Sequence, residues 1–335
     1  MKKNNPPTIT RRTFGASLAA FPAAAALGAP LVARAQEKYP SRPVTIVLPF
    51  GAGGVADVTS RLAAERLGEK LGQRFVIENR PGAGGITAAR TVLSAKPDGY
   101  TLGLVTNGTA ISVALFKSLP FDPVKQFEMI SQMGTFELVI VTGADSPYKT
   151  LGDFVKAAKE QPGKLNVGTI TVGGTQNLAA ELLKIAADIK FQIIPHRTTP
   201  DVTVALLRND VQLAIDFPAA LRGVLSDGKA RALATTGPKR SPAMPNVPTV
   251  QEAGIPGYEV VSWNGFFAPA GTPKEVIDTL NAALREILSD PEVKKRYSAL
   301  GIEAAPSSPA ELKERLVSDI KKWSDVIAKA GIPKQ

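Results

Sequence analysis

Short apolar runs alternate with amphipathic segments along the chain from residue 44 onward. Val44–Leu48 is a β-branched apolar run closed by Pro49 and predicts a strand, whereas residues 55–71 place their leucines on roughly one helical face. The further strands predicted are 75–78, 100–105, 138–142, 165–168, 191–195, 212–217, 230–235 and 263–268, and the further helices are 86–95, 151–159, 176–187, 274–288, 291–300 and 309–330. The alternation is looser over residues 117–134, and residues 237–256, which are rich in proline and lack periodicity, are expected to form a long ordered loop. The alternation predicts an α/β fold of mostly parallel sheets flanked by helices.

Three loops between a predicted strand and helix consist largely of small residues. They span 49–57, 79–85 and 169–175. Glycine lets a backbone approach a ligand closely, and the amides at a helix N-terminus favour an anion. In open α/β sheets, ligands bind at the carboxyl ends of the strands, where such loops lie. The loops therefore predict a site for a carboxylate or phosphate, although each could instead serve only as a tight turn.

The first of these loops also has the form of a dinucleotide fingerprint. The segment 51–56, with the sequence GAGGVA, fits G-x-G-x-x-G/A, and Glu78 ends the next strand where a ribose-binding acid is expected. Against this interpretation, Pro49 and Phe50 lengthen the turn before the first glycine. An exported NAD-type oxidoreductase therefore stays as an alternative.

Composition narrows the chemistry. The 335 residues are 44% hydrophobic and 21% charged, as in globular proteins, and include no cysteine and one histidine, His196. Disulfides, thiolate metal sites and a multi-histidine metal site are excluded, and a serine–histidine triad could only be built around His196. We expect no metal and no cofactor. The net charge is +10, but half of it lies in the first 35 residues and no dense basic run follows. We therefore expect no nucleic-acid partner.

Residues 1–35 have the pattern of a twin-arginine-type signal peptide. A basic segment containing Arg11 and Arg12 precedes an apolar, alanine-rich stretch, and 33–35 form a small-x-small cleavage site. Cleavage near Ala35 would place the mature chain in the periplasm. The alternative is an uncleaved membrane anchor, but Pro22 and Pro30 interrupt the apolar stretch. No later segment reaches about 18 consecutive apolar residues, the length of a spanning helix.

Several motifs occur together in a fixed order. YPSRPV at 39–44 leads into the PFxxGGxxD loop, VIENRPGAGG spans 76–85, KPDGYTL spans 96–102, and WNGFFAPAGTP spans 263–273. In this combination the chain resembles the Bug (TctC-like) substrate-binding proteins of tripartite tricarboxylate transporters, over essentially the whole mature length.

The resemblance implies a two-lobed periplasmic binding protein (Venus flytrap) with a ligand cleft between the lobes and two interlobe crossings. Lobe 1 would be discontinuous, comprising 36–138 and 263–335, and lobe 2 would comprise 139–262. It also implies capture of a small organic carboxylate for uptake or sensing. The partners would be membrane permease subunits or a sensor kinase, and the mature protein would be monomeric.

The resemblance places ligand contacts in loops of both lobes. The expected ligand-binding residues are Phe50, Ala52, Gly53, Gly54, Asp57, Asn107, Thr109, Thr169, Thr171, Gly173, Gly174, Thr175, Asn177, His196, Arg197 and Asp216. Thr106–Thr109 is expected to be a contact loop, and Asp57 either accepts a ligand hydrogen bond or stabilises the first helical turn. Where the family often has histidine, this chain has Asn177, and His196 with Arg197 could clamp a second carboxylate.

Overall fold

The computed structural model describes residues 39–170 and 174–335. The signal peptide predicted at 1–35 and the predicted contacts Thr171 and Gly173 lie outside these residues. Within them the strands are β1 (Val44–Leu48), β2 (Phe75–Asn79), β3 (Thr101–Thr106), β4 (Phe127–Glu137), β5 (Val139–Gly143), β6 (Asn166–Ile170), β7 (Gln192–His196), β8 (Leu213–Asp216), β9 (Ala230–Thr235), β10 (Val261–Pro269) and β11 (Glu303–Ala304). The helices are α1 (Val55–Leu71), α2 (Ile86–Leu93), α3 (Asn107–Leu115), α4 (Pro123–Gln126), α5 (Leu151–Glu160), α6 (Thr175–Ala187), α7 (Thr199–Leu207), α8 (Pro218–Ser226), α9 (Lys274–Ser289), α10 (Pro291–Ala299) and α11 (Pro309–Ala330).

The strands form two mixed sheets, and each sheet is the centre of one lobe. The sheet of lobe 1 has the order β11-β4-β10-β3-β1-β2, and that of lobe 2 has the order β7-β6-β8-β5-β9. Only the β1–β2, β1–β3, β6–β7 and β6–β8 pairs are parallel among the described strands. The prediction of mostly parallel sheets is therefore wrong. Strands β4, β10, β5 and β9, which flank the passages between lobes, pair antiparallel with their neighbours.

The chain passes between the sheets in two adjacent segments. Leu138 joins β4 to β5, and residues 236–260 join β9 to β10. Thr236 ties the two segments together, because its hydroxyl accepts from Leu138 N at 2.8 Å and lies 2.6 Å from Val260 O. Gly237 N donates to Glu137 Oε2 at 3.0 Å. The lobe boundaries proposed at 138 and 262 stay predictions, although both fall at these passages.

Each sheet buries both of its faces. In lobe 1, Val44, Ile46 and Leu48 alternate onto the face covered by α1 and α9, as expected for a strand whose side chains have a period of two. The opposite face continues into lobe 2 through one apolar cluster that includes Val105, Leu138, Leu178 and residues of α11. A third cluster lies beneath α7 and α8 on the outer face of lobe 2. The two lobes therefore share one continuous apolar cluster.

Four elements differ from the sequence prediction. The 11-residue strand β4 and the short helix α4 occupy parts of the stretch 117–134, in which no element is predicted, and the two-residue strand β11 is not predicted either. Residues 107–109 begin helix α3 instead of lying in a loop. Within 39–170 and 174–335, no helix is long and apolar enough to cross a membrane. No group of three or more His, Cys, Asp or Glu side chains in these residues could hold a metal ion.

Candidate functional site

The loop between β1 and α1 is open and presents backbone amides. Phe50 is 40% exposed, and Ala52, Gly53 and Gly54 are exposed as well. Gly53 has a φ of 87°, a left-handed conformation that other residues adopt at a cost. Gly54 is the N-cap of α1 and makes no side-chain cap, so the first amides of this helix remain available to an anion.

Asp57 holds this loop from beneath. Its carboxylate is 2% exposed and accepts hydrogen bonds from Gly53 N, Arg61 Nε and Asn79 Nδ2, each at 2.9 Å. The Arg61 hydrogen bond, with support from Gly53 N and Asn79, lowers the pKa of Asp57 to about 2 despite its burial. Asn79 Nδ2 also donates to Phe50 O. We therefore assign Asp57 to the organisation of the loop, and a direct ligand contact through its side chain is not supported by these partners.

The acid expected to bind a ribose has another partner. Glu78 Oε1 accepts from both Nε and Nη2 of Arg80, immediately after β2. An ion pair at this position occupies the carboxylate that the dinucleotide interpretation requires. The exported-oxidoreductase alternative therefore has no support in the geometry of this loop.

Asn107 bridges the two lobes at the start of α3. The side chain is fully buried, and its Nδ2 donates to Thr175 Oγ1 in lobe 2 at 3.1 Å. Its Oδ1 accepts from Trp323 Nε1 in α11 at 2.7 Å. Thr109 lies in the first turn of the same helix, where its hydroxyl accepts from Thr106 N and completes a capping box. Residues 106–109 therefore begin a helix instead of forming the expected loop, because reciprocal capping starts a helix there, and their contact with a ligand stays a prediction.

Helix α6 in lobe 2 has an N-terminus without a side-chain cap, as α1 has in lobe 1. Gly174 is its N-cap without a side-chain hydrogen bond, and its first turn contains no acid. Thr169, at the end of β6, is fully buried, and its Oγ1 has no hydrogen-bond partner among the described residues. Asn177 is buried on the same helix. Donors from α6 and a free hydroxyl therefore lie together on lobe 2.

His196 and Arg197 occupy the next strand end. His196 closes β7 in register with Ile170, and its ring is half-buried. Its Nε2 is buried and has no hydrogen-bond partner within the described part of the chain. Arg197 is exposed. Both lie at the edge predicted to carry ligand contacts, and their clamp on a second carboxylate stays a prediction.

Asp216 is buried at the end of β8, with 1% exposure. Its carboxylate accepts from Gln176 Nε2 at 3.0 Å, from Phe217 N at 2.8 Å and from Thr199 Oγ1 at 2.5 Å. Asp216 therefore joins the N-termini of α6, α7 and α8 at one edge of the lobe 2 sheet. Because the Asp216 carboxylate is buried, a ligand would contact the side chains that bind Asp216 before it reached the carboxylate itself.

Four side chains that form hydrogen bonds in and around this region were not expected from the sequence. They are Gln176 and Thr199, which bind Asp216, and Trp323 and Thr236, which connect distant segments. The Thr-Pro pair at 199–200 is a signal for a helix start. Nothing in the local sequence indicates which carboxylate the threonine hydroxyl reaches, since its partner lies 17 residues away.

Two further contacts join the lobes away from these loops. The rings of Phe136 and Phe217 meet edge to face with centroids 5.2 Å apart. Arg222 Nη2 in α8 donates to Ala299 O, the last residue of α10, at 2.7 Å. A carbonyl at a helix C-terminus carries partial negative charge, so a guanidinium is a favourable partner.

Comparison with known proteins identifies relatives over most of the chain. The model of the tripartite tricarboxylate transporter family receptor matches residues 59–332. BugT of Bordetella pertussis is 31% identical over 314 residues, which cover 93% of this chain and 95% of BugT.

Solved structures agree with this assignment. Rpa4515 of R. palustris, determined with adipate, superimposes with a TM-score of 0.77 at 32% identity, over 88% of this chain and 99% of that protein. MatC from Rhodopseudomonas palustris, with bound malate, gives a TM-score of 0.73 at 33% identity, over 86% and 100%. The resemblance inferred from the motifs is confirmed, and so is the two-lobed α/β fold. The chain belongs to the tripartite tricarboxylate transporter receptor family.

Proposed function

We propose that this protein is a periplasmic solute-binding receptor that captures a small organic carboxylate between its lobes and performs no chemistry on it. The observation that carries the proposal is the pair of helices α1 and α6, one from each lobe, whose N-termini have no side-chain cap. Relatives of the same fold hold adipate and malate. Amides from both lobes could share one carboxylate in the same way.

The electrostatics suit an anion held without a cation. Arg61 forms an ion pair with Asp57 beneath the first loop. The ion pair reduces the repulsion between this carboxylate and an anion bound at the positive end of the α1 dipole. The first turn of α6 contains no acid at all. Peptide amides in a partly desolvated cleft bind a carboxylate through charge-assisted hydrogen bonds. The ligand then favours closure because it contacts both lobes only when they approach each other.

The N-terminal sequence and the family indicate where the receptor would act and with which partners. The segment 1–35 would direct export and be cleaved near Ala35, and the mature receptor would act as a monomer in the periplasm. It would deliver its ligand to permease subunits of a tripartite transporter, or report it to a sensor kinase. The receptor family to which the chain belongs supports the first partner most directly.

A thermal-shift screen tests the proposal. The purified protein is heated with propionate, succinate, malate, adipate, citrate, benzoate or glutamate, with NAD as the test of the oxidoreductase alternative. A ligand at a hundredfold excess over its Kd should stabilise the fold by about 2.7 kcal/mol. At least one carboxylate should raise the melting temperature and NAD should not. Stabilisation by NAD, or by none of the acids, would contradict the proposal.

A matched pair of variants localises the site. Gly53→Val forces a β-branched residue into a left-handed conformation and should displace the loop amides, although a Cβ there would meet no atom within 4 Å. Gly54→Ala is the control, because its φ of −77° suits alanine and its Cβ is equally unobstructed. Gly53→Val should abolish the ligand-induced shift while the protein stays folded. Equal shifts in both variants would remove the first loop from the site.

A further inference from the structure

Within residues 39–170 and 174–335, the hydrogen-bond donors to the Asp216 carboxylate in lobe 2 carry no formal charge. These are a side-chain amide, a backbone amide and the Thr199 hydroxyl. An ionised carboxylate can only accept hydrogen bonds, so the single hydroxyl proton of Thr199 is committed to it. The rest of the Thr199 oxygen is then an acceptor. Asp216 thereby fixes the hydrogen-bonding polarity of a neighbouring group.

Thr199 is placed where a ligand could meet it. It is the first residue of α7 and half-buried, at the carboxyl edge of the sheet that also carries α6. Gln176, which shares Asp216 with it, directly follows Thr175, the residue that touches Asn107 of lobe 1. The Thr199 hydroxyl therefore lies on the edge of lobe 2 that faces lobe 1.

The N-terminus of α7 differs in charge from that of α6. Thr198 caps α7 and exchanges hydrogen bonds with Asp201, an acid in the first turn. Pro200 contributes no N–H. The α6 N-terminus has neither an acid nor a side-chain cap. Donors are thus concentrated at α6, and acceptors at α7 and the end of β8.

We infer that this asymmetry selects the chemical class of the ligand, an inference that rests on the proposed function. One carboxylate is held by the amides at α1 and α6. The other end of the ligand donates a hydrogen bond to Thr199 Oγ1, so it carries a hydroxyl or amino group instead of a second carboxylate. Thr199 is the specificity-determining residue, and Asp216 is the positioning residue that keeps its proton turned away.

A second carboxylate at Thr199 would meet an acceptor and lie near the uncompensated charge of Asp216. Leaving such groups unpaired should weaken binding about 5- to 150-fold. The competing outcome is a clamp by His196 and Arg197, which would favour a diacid. Arg197 is exposed, so its guanidinium keeps its water, whereas Asp216 is fully desolvated.

The test uses ligand pairs that differ only at the distal end. Titration calorimetry compares 4-hydroxybutanoate with succinate, and 6-hydroxyhexanoate with adipate, on the wild type, Thr199→Val, Thr199→Ser and Asp216→Asn. The wild type should bind one hydroxy acid roughly tenfold more tightly than its diacid. Thr199→Val should lose this preference, and Thr199→Ser should keep it. In Asp216→Asn the side-chain amide can donate a hydrogen bond to Thr199 Oγ1. The Thr199 hydroxyl is then free to donate to a ligand, so the preference should move toward the diacid.

The outcomes separate the two proposals. A diacid preferred by the wild type and unchanged by Thr199→Val overturns this inference but leaves a carboxylate receptor. If none of the four acids nor any acid of the thermal-shift screen binds, the proposed function itself fails. The melting temperature of each variant without ligand shows whether it is folded, and the Val and Ser variants decide the question if Asp216→Asn does not fold.

Discussion

Asp57 is a predicted ligand contact whose carboxylate forms hydrogen bonds within the protein that hold the β1–α1 loop in place. The carboxylate lies in the first turn of α1, where an acid also interacts favourably with the helix dipole. Three donors converge on it, and one of them, Arg61, is half exposed. The lowered pKa means that the folded state holds the charged form more firmly than the unfolded chain does.

Replacement of Asp57 by asparagine should therefore destabilise the protein in a pH-dependent way. The stabilising effect of the charge is fully present above pH 4 and is lost as the pH falls through about 2, because the pKa moves from 3.8 unfolded to about 2 folded. We expect Asp57→Asn to lower the free energy of unfolding by about 1–2 kcal/mol at pH 6, after allowance for solvent around Arg61. Urea unfolding at pH 6 and pH 3 measures the difference, which should shrink at the lower pH.

The control is Asp278→Asn, which removes an exposed ion pair between neighbouring turns of α9. Such pairs contribute about 0.3–0.5 kcal/mol. An equal loss in both variants, or a loss at Asp57 that does not depend on pH, would contradict the assignment of Asp57 to loop organisation.

Residue roles were predictable from sequence only where the partners are local. The N-terminus of α1 at Gly54, which has no side-chain cap, follows from a glycine loop at a helix start. Asn107 is a candidate through the family resemblance, but its partner Trp323 lies 216 residues away. A local sequence pattern does not indicate a contact between such distant residues. The buried hydrogen bonds by which Asn107 connects the two lobes could therefore not be predicted.

At the scale of elements, the repeating strand–helix units were predictable and the long antiparallel strand was not. Strands β1 and β3 are short, mostly apolar and buried along nearly their whole length, a pattern that arises when both faces of a sheet are covered. Strand β4 instead mixes buried and polar positions and has two register shifts against β10. Those irregularities erase the period-two pattern, and its identity as a strand comes from a partner more than 120 residues away.

A substitution at Thr236 tests how the elements are connected, because its hydroxyl forms hydrogen bonds with both segments that pass between the lobes. Thr236→Val keeps the shape but removes the partner of Leu138 N and Val260 O. We expect a loss of about 1–3 kcal/mol in the free energy of unfolding, since these groups are buried. Thr236→Ser retains the hydroxyl and should lose less. Urea unfolding compares the two, and a loss in Thr236→Ser as large as that in Thr236→Val would contradict the prediction, because it would mean that the methyl group contributes as much as the hydroxyl.

At the scale of the whole molecule, the lobes meet at two kinds of contact. The passages at Leu138 and Thr236 are covalent and fully buried, so they stay in place when the lobes separate. The hydrogen bonds of Asn107 with Thr175 and of Arg222 with Ala299 join residues that only approach each other through space. Hinge motion about the first kind would break the second. The Arg222 contact is exposed, so it can be removed without disturbing the core.

Arg222→Ala should therefore weaken the closed form while leaving each lobe intact. Removing one exposed hydrogen bond to a helix C-terminus costs about 0.5–1 kcal/mol, which corresponds to a two- to fivefold faster release of a bound carboxylate. Stopped-flow dissociation measures this rate with the tightest ligand of the thermal-shift screen. Arg208→Ala, an exposed arginine that ends α7, is the matched control and should leave the rate unchanged. If both variants release the ligand at the wild-type rate, the Arg222 contact does not take part in closure, and the Asn107–Thr175 hydrogen bond and the Phe136–Phe217 ring contact become the next noncovalent links to test.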